Sequence, residues 1–388
     1  MNDMEIYQVD REVLVELARG LIQFENVNPP GDDRGIADFL ARYLERMGVE
    51  VRVDVVGDNR RNVVGVWKGE ADHPTLLLNG HLDVVAPGQG WTVEPFAGMV
   101  KDGQLYGRGA VDMKAGIAAM VSAIQMAQRK GFRPRGTVIL AAVADEEVDQ
   151  TGSRYLGEIG LKADYALVAE PTSLEVMIVH KGRMILEVST LGKTAHAAMP
   201  EHGVNAIEKM GRVLEAAQLE GEALRQRVHP MLGNPTLTIT MIQGGSAINS
   251  VPDRCQVTLD RRYLPEEKPE AILEGLRKRL AALSEQDEAL QWELELLRHS
   301  PPLEGATDMP LVSSLRRAIA EVRGEDPGVH GLLATTDAGV LWAELGIPTV
   351  VCGPGDLTQA HKPDEHVAID ELVEAAQVYA QVIEELQG

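Results

Sequence analysis

At 388 residues the chain is too long for one ordinary hydrophobic core, so two domains are expected. Acids outnumber bases 59 to 37, a formal charge of −22, which argues against nucleic acid or an anionic membrane as partner, since both need a basic face. The 44% hydrophobic and 25% charged content is that of a soluble globular protein, and no apolar run approaches the roughly 18 residues of a membrane span.

The opening stretch, MNDMEIYQVDREVLVELARGLI, has acids near its start and lacks a leader pattern, so a cytoplasmic location is expected. A helix is predicted from about Ile36, stopped by Gly48. VEVRVDVV and RNVVGVWKG alternate like antiparallel strands, and PTLLLNGHLDVV is a continuous apolar run, as in a buried strand. AGIAAMVSAIQMAQRKG reads as a helix, with Gly131 as its stop. GTVILAAVAD and ADYALVAEPT read as two more buried strands. Strands alternating with helices, each strand ending in a polar cluster, predict an α/β mixed sheet with its site at the strand ends.

The middle of the chain changes character. GRMILEVSTLG, a helix through NAIEKMGRVLEAAQ, NPTLTITMIQGG, DRCQVTLDRRYLP, a helix PEAILEGLRKRLAALS and ALQWELELLRH run in the order βαββαβ, the ferredoxin-like pattern. The α/β pattern then resumes and closes with a helix from about Ile369. A catalytic domain of residues 1–181 and 302–388, interrupted by an inserted domain of residues 182–301, is therefore expected. Cys255 and Cys352 sit far apart in strand-like runs and read as buried thiols.

Several segments carry chemistry at strand ends. In NGHLDVV, His81 and Asp83 are two apart and share a face of an extended segment, which suits an imidazole held by a carboxylate, although His-x-Asp also arises by chance. Asp112 lies in a glycine-rich turn before a helix and alone reads more readily as an N-cap or an Asx turn than as a ligand. AVADEEVDQTGS places Glu146 and Glu147 side by side, LVAEPTS ends in Glu170, and TQAHKPDEHV supplies His361. Two histidines, at least three carboxylates and no cysteine suit zinc or a similar divalent ion in a catalytic role, with enough ligands for two ions sharing one carboxylate. A G-x-S-x-G elbow and a phosphate-binding G-x-x-x-x-G-K-[ST] loop are both absent.

The order GHLDVV, YGRGAVDMKAG, ADEEVDQTGS, VAEPTS, AHAAMPEHGVNAI, GGSAINSVPDRC, LDRRYLP, GPGDLTQAHKPDEHV resembles the M20 metallopeptidase family of deacetylases, desuccinylases, aminoacylases and glutamate carboxypeptidases. The resemblance covers nearly the whole chain. It implies that His81, Asp112 and Glu170 hold one divalent ion and Asp112, Glu147 and His361 a second, with zinc first and cobalt or manganese as alternatives. It implies Asp83 as the group orienting His81 and Glu146 as the general base acting with a metal-bridging hydroxide. It also implies a cis peptide from Asp112 to Met113. The inserted domain would be a lid and homodimerisation domain, with His196 reaching the partner's site to stabilise an oxyanion and Asn249 and Arg262 contacting substrate. Thr336 and Asp337 match the Gly-Gly-Thr-Asp or Gly-Thr-Ser-Asp motif of many relatives, but the preceding glycine is a threonine, which weakens the carboxypeptidase and strict desuccinylase branches, while GPGDLTQAHKPDEHV is more similar to general deacetylase-like members.

The function expected is removal of the acyl group from an N-acyl amino acid or similar small carboxylate. Exopeptidase action on dipeptides or glutamyl amides is the alternative, with carbamoyl-amino-acid hydrolysis third. A catalytically silent metal-binding homologue is the reading from outside the enzymes.

Overall fold

A computed structural model describes residues 9–388. The reading of the first eight residues as free of a leader therefore lies outside the described residues. The described residues divide into two compact units: 9–179, Leu303–Leu332 and Thr336–Gly388 form one, and His180–Pro302 with Leu333–Thr335 the other.

The first unit is a mixed α/β structure. Its main sheet runs in the order Glu50–Gly57, Arg60–Lys68, Thr137–Val143, Thr75–His81, Tyr165–Val168, Thr349–Val351, Met177–His180, Leu303–Glu304, with His330–Leu332 beside Met177–His180. The first two strands pair antiparallel, as their alternating patterns predict. The four from Thr137–Val143 to Thr349–Val351 are mutually parallel. Parallel strands lie between layers of helix, so Thr75–His81 is buried at every position. Leu76, Leu77 and Leu78 are fully enclosed, each contributing roughly 1.5–3 kcal/mol of burial.

Helix Lys114–Arg129 is apolar almost all round because it lies between other elements, against Thr75–His81, Arg11–Ile22 and Ile369–Gln387. Its first turn can approach the sheet closely only because position 116 is glycine. A Cβ there would stand 2.4 Å from the Ala169 carbonyl oxygen. This contact seats the start of the helix against the turn that carries Glu170. A small separate sheet of Met99–Lys101, Gln104–Tyr106 and His366–Ala368 was not foreseen, since three-residue strands are too short to show a period.

The second unit runs Gly182–Leu191, Ala206–Leu224, Thr236–Gly244, Arg254–Tyr263, Pro269–Gln286, Gln291–Ser300, that is, βαββαβ. Its antiparallel sheet has the order Thr236–Gly244, Arg254–Tyr263, Gly182–Leu191, Gln291–Ser300. Along Arg254–Tyr263 burial alternates, turning Cys255, Val257, Leu259 and Tyr263 into a core with Met184, Leu186, Met210 and Val213. The same alternation buries Arg261 against Glu267 and turns Arg262 to the other face. Cys255 and Cys352 are both free and buried. Among the described residues no helix is long and apolar enough to cross a membrane.

Candidate active site

The carboxyl ends of the four parallel strands converge on one edge of the sheet, where open α/β sheets place their chemistry. His81 is the last residue of its strand and is fully buried. Its Nδ1 lies 2.9 Å from the backbone carbonyl of Asp83, and the Asp83 carboxylate is farther, at 3.6 Å. A proton donated from Nδ1 to that carbonyl turns Nε2 toward Asp112 Oδ1 at 2.9 Å and Glu170 Oε1 at 3.6 Å. Asp83 thus meets His81 chiefly through its main chain. Its carboxylate accepts from Asn28 Nδ2 (2.7 Å) and the backbone N–H groups of Glu146 (3.1 Å) and Glu147 (3.3 Å).

Strand Thr137–Val143 ends just before the acid cluster, and the backbone turns left-handed at Asp145 (φ 69°). The turn frees Glu146 and Glu147 from the alternation of a strand, so adjacent side chains can serve one site. Asp145 is buried and holds the turn, accepting from Arg60, from Asn28 Nδ2 (2.8 Å) and from Thr151 Oγ1 (2.7 Å).

Asp112 precedes helix Lys114–Arg129 through a cis peptide to Met113. Its Oδ1 faces His81, and its Oδ2 lies 3.2 Å from His361 Nε2. The same His361 nitrogen is 3.2 Å from Glu147 Oε1. One carboxylate therefore spans two imidazoles, with Glu170 beside the first and Glu147 beside the second. Among the described residues, two groups have donor atoms within 4.8 Å of one another: His81 with Asp112 and Glu147, and His81 with Glu146 and Glu170.

Burial raises the carboxyls of Glu146 and Glu170 well above their ordinary range, and mutual repulsion adds to it. Glu147 is raised too, by burial and then by Asp112. Asp112 moves the other way: burial works against its charge, but hydrogen bonds from His361 and His81 outweigh it. His361 is pushed up to about 10, by Asp112 and then Glu147. For His81 burial opposes the charged ring, yet Asp112 and Glu170 raise it well above its usual value. So many acids crowded at a buried edge call for positive charge. Imidazole nitrogen and carboxylate oxygen are the donors of a borderline divalent ion, so the residues present fit the metal role.

The other expected residues lie in the second unit. Arg262 is forked on Asp260 at 2.8 and 3.3 Å and reaches Thr335 Oγ1 at 3.2 Å, so an ion pair already holds its guanidinium. His196 and Asn249 are exposed and neighbours, joined by the Ala197 N–H to the Asn249 carbonyl (3.0 Å). His196 Nδ1 accepts from the Ala198 N–H at 3.1 Å, which in the neutral ring leaves Nε2 as the donor. Sequence reasoning passed over Asn28, Arg60, Arg108 and Glu365, whose partners lie far along the chain. It noted Asp337 only as a motif match. Asp337 is buried, and burial pushes its carboxyl up to about 7 against the nearby charge of His81.

Histidines and paired carboxylates at the ends of parallel strands in this fold define a metal-dependent hydrolase of amide bonds. Residues 77–385 match the model of Peptidase family M20/M25/M40, and the chain belongs to that family. It is 29% identical to an N-formyl-4-amino-5-aminomethyl-2-methylpyrimidine deformylase of Bacillus subtilis, over 97% of this chain and 96% of the relative. It is 32% identical to an acetylornithine deacetylase of Edwardsiella ictaluri, over 89% of this chain and 88% of the relative. The crystal structure of the aminopeptidase PepT from Bacillus cereus superposes with a TM-score of 0.79 at 26% identity, covering 98% of this chain and all of that one.

Proposed function

We propose that the chain removes the acyl group from an N-acyl amino acid or a related small carboxylate, using two divalent ions, zinc foremost, with cobalt or manganese as alternatives. The observation that carries this reading is Asp112, whose two oxygens face His81 and His361 at 2.9 and 3.2 Å. His81, Asp112 and Glu170 would hold one ion, and Asp112, Glu147 and His361 the other. Bound there, the ions supply Lewis acidity that polarises the scissile carbonyl and acidifies an attacking water.

The chain's own residues do the rest. Glu146 takes the proton of the attacking water and delivers it to the departing amine. Asp83 fixes Glu146 and Glu147 through their backbone N–H groups. In a cytoplasmic homodimer joined through the second unit, the Nε2–H of the partner subunit's His196 donates to the carbonyl oxygen as it gains charge. Arg262 and Asn249 bind the substrate carboxylate, with the substrate displacing part of the Asp260 pairing.

The deformylase and deacetylase relatives favour deacylation, and the likeness to PepT keeps exopeptidase action as the second reading. A hydrolysis screen of N-acetyl, N-succinyl and N-formyl amino acids alongside dipeptides, with zinc, cobalt or manganese added, decides between them. Turnover of dipeptides alone would overturn the deacylase reading. Metal-loaded protein inert across the whole panel would point to a silent homologue.

A further inference from the structure

A second charged group lies behind the candidate centre and takes no part in the chemistry above. Glu365 is completely buried, four residues beyond His361. Its Oε1 accepts from two successive backbone N–H groups, those of Val111 (2.8 Å) and Asp112 (3.1 Å). Its Oε2 pairs with Arg108, itself 1% exposed, and its backbone carbonyl accepts from the Gly107 N–H at 2.9 Å. Arg108 is fixed in turn. Its Nη2 lies 3.4 and 3.3 Å from the carbonyls of Ala86 and Pro87, and its guanidinium lies 5.3 Å from the centre of the Trp91 ring.

The placement is specific. Glu365 directly precedes strand His366–Ala368, which pairs antiparallel with Gln104–Tyr106, and the Gly107–Asp112 turn follows that partner strand. One side chain therefore joins the loop bearing His361 to the turn bearing Asp112. A buried ion pair gives little net stability over a well-packed apolar substitute, so stability alone is a poor reason for it. Its value lies in geometry: two parallel N–H bonds to one carboxylate oxygen fix the backbone at the residue whose side chain spans both imidazoles.

We propose that Glu365, backed by Arg108, is a positioning residue that holds Asp112 and His361 at the separation needed for one carboxylate to serve two metal sites. The inference rests on the dinuclear reading of the centre. Groups that hold a ligating residue in place typically matter 10–100-fold for metal affinity.

The test uses the full chain, stripped by chelator and titrated with zinc while thermal unfolding is followed. Binding to the folded state alone raises the midpoint by an amount set by concentration over Kd, so the series gives an affinity without any assay of turnover. Wild type is expected to be stabilised by zinc, and Glu365→Gln to need roughly 10–100-fold more zinc for the same rise. Glu365→Asp keeps the charge but is one methylene short, and should also bind zinc more weakly. If either variant lowers the metal-free and zinc-saturated midpoints equally, with affinity unchanged, the pair is structural and the proposal falls. It falls equally if neither variant folds. If wild type itself gains nothing from zinc, cobalt or manganese, the dinuclear reading fails first and takes this inference with it.

Discussion

On the proposed mechanism the neighbours Glu146 and Glu147 have separate tasks, and substitution should part them. Glu146→Gln is expected to keep full metal content, measured by elemental analysis, while kcat falls roughly 10²–10⁴-fold. Glu147→Ala should lose metal from the side of the centre shared with His361. Near-normal turnover in Glu146→Gln would remove it as the base. A different residue governs a pH effect on stability. Asp33 is buried, with one oxygen accepting from Asn26 Nδ2 at 3.0 Å. Burial lifts its carboxyl from 3.8 to about 6. Between those values the folded chain keeps a proton that the unfolded chain has released, so stability falls as pH rises. Above about 6 the whole deficit remains, up to about 3 kcal/mol. Asp33→Asn should therefore raise the urea midpoint at pH 8 and leave it nearly unchanged at pH 4. A rise of equal size at both values would show that the charge is not the cause.

Elements set where these residues stand, and some elements were easier to read than others. The long strands and helices declared themselves by period and by apolar runs. The polar clusters closing those runs pointed to His81, Glu146, Glu147 and Glu170 because parallel strands end at one edge. Strands such as Met99–Lys101 and His330–Leu332, and the helix Ala338–Ala343, are shorter than the window in which a period can be seen. Glu365 and Arg108 stand 257 positions apart, and a single charge in a loop carries no local sign of so distant a partner. The carbonyl of Asp83 that holds His81 was invisible for another reason, since every residue has one. Close packing between elements gives its own prediction. Gly116→Ala would drive a methyl group toward the Ala169 carbonyl at 2.4 Å, where backbone must yield. The expected cost is about 1–3 kcal/mol in thermal unfolding, together with weaker metal binding, since Glu170 follows directly. An unshifted midpoint would mean that the helix can slide without loss.

For the whole molecule, the proposed dimer can be tested at the outer strand of the second unit. Thr236–Gly244 has one unpaired edge and exposes Met241 at 69% and Ile242 at 55%. Sedimentation should give a dimer, and Ile242→Lys a monomer with its metal retained but its kcat reduced. A fully active monomer would dismiss a catalytic His196 supplied in trans. The main sheet carries a further consequence, for how the chain is made. Strand Tyr165–Val168 is flanked by Thr349–Val351, which leaves the ribosome roughly 180 residues later, or on the order of 10–40 s at ordinary elongation rates. In that interval every strand and helix of the second unit is synthesised, while the first unit waits with an open sheet edge. His361 emerges later still, so on the proposed assignment the ion it would share with Asp112 and Glu147 can be loaded only near the end of synthesis, and the nascent chain is most exposed to misassembly while its sheet is half built.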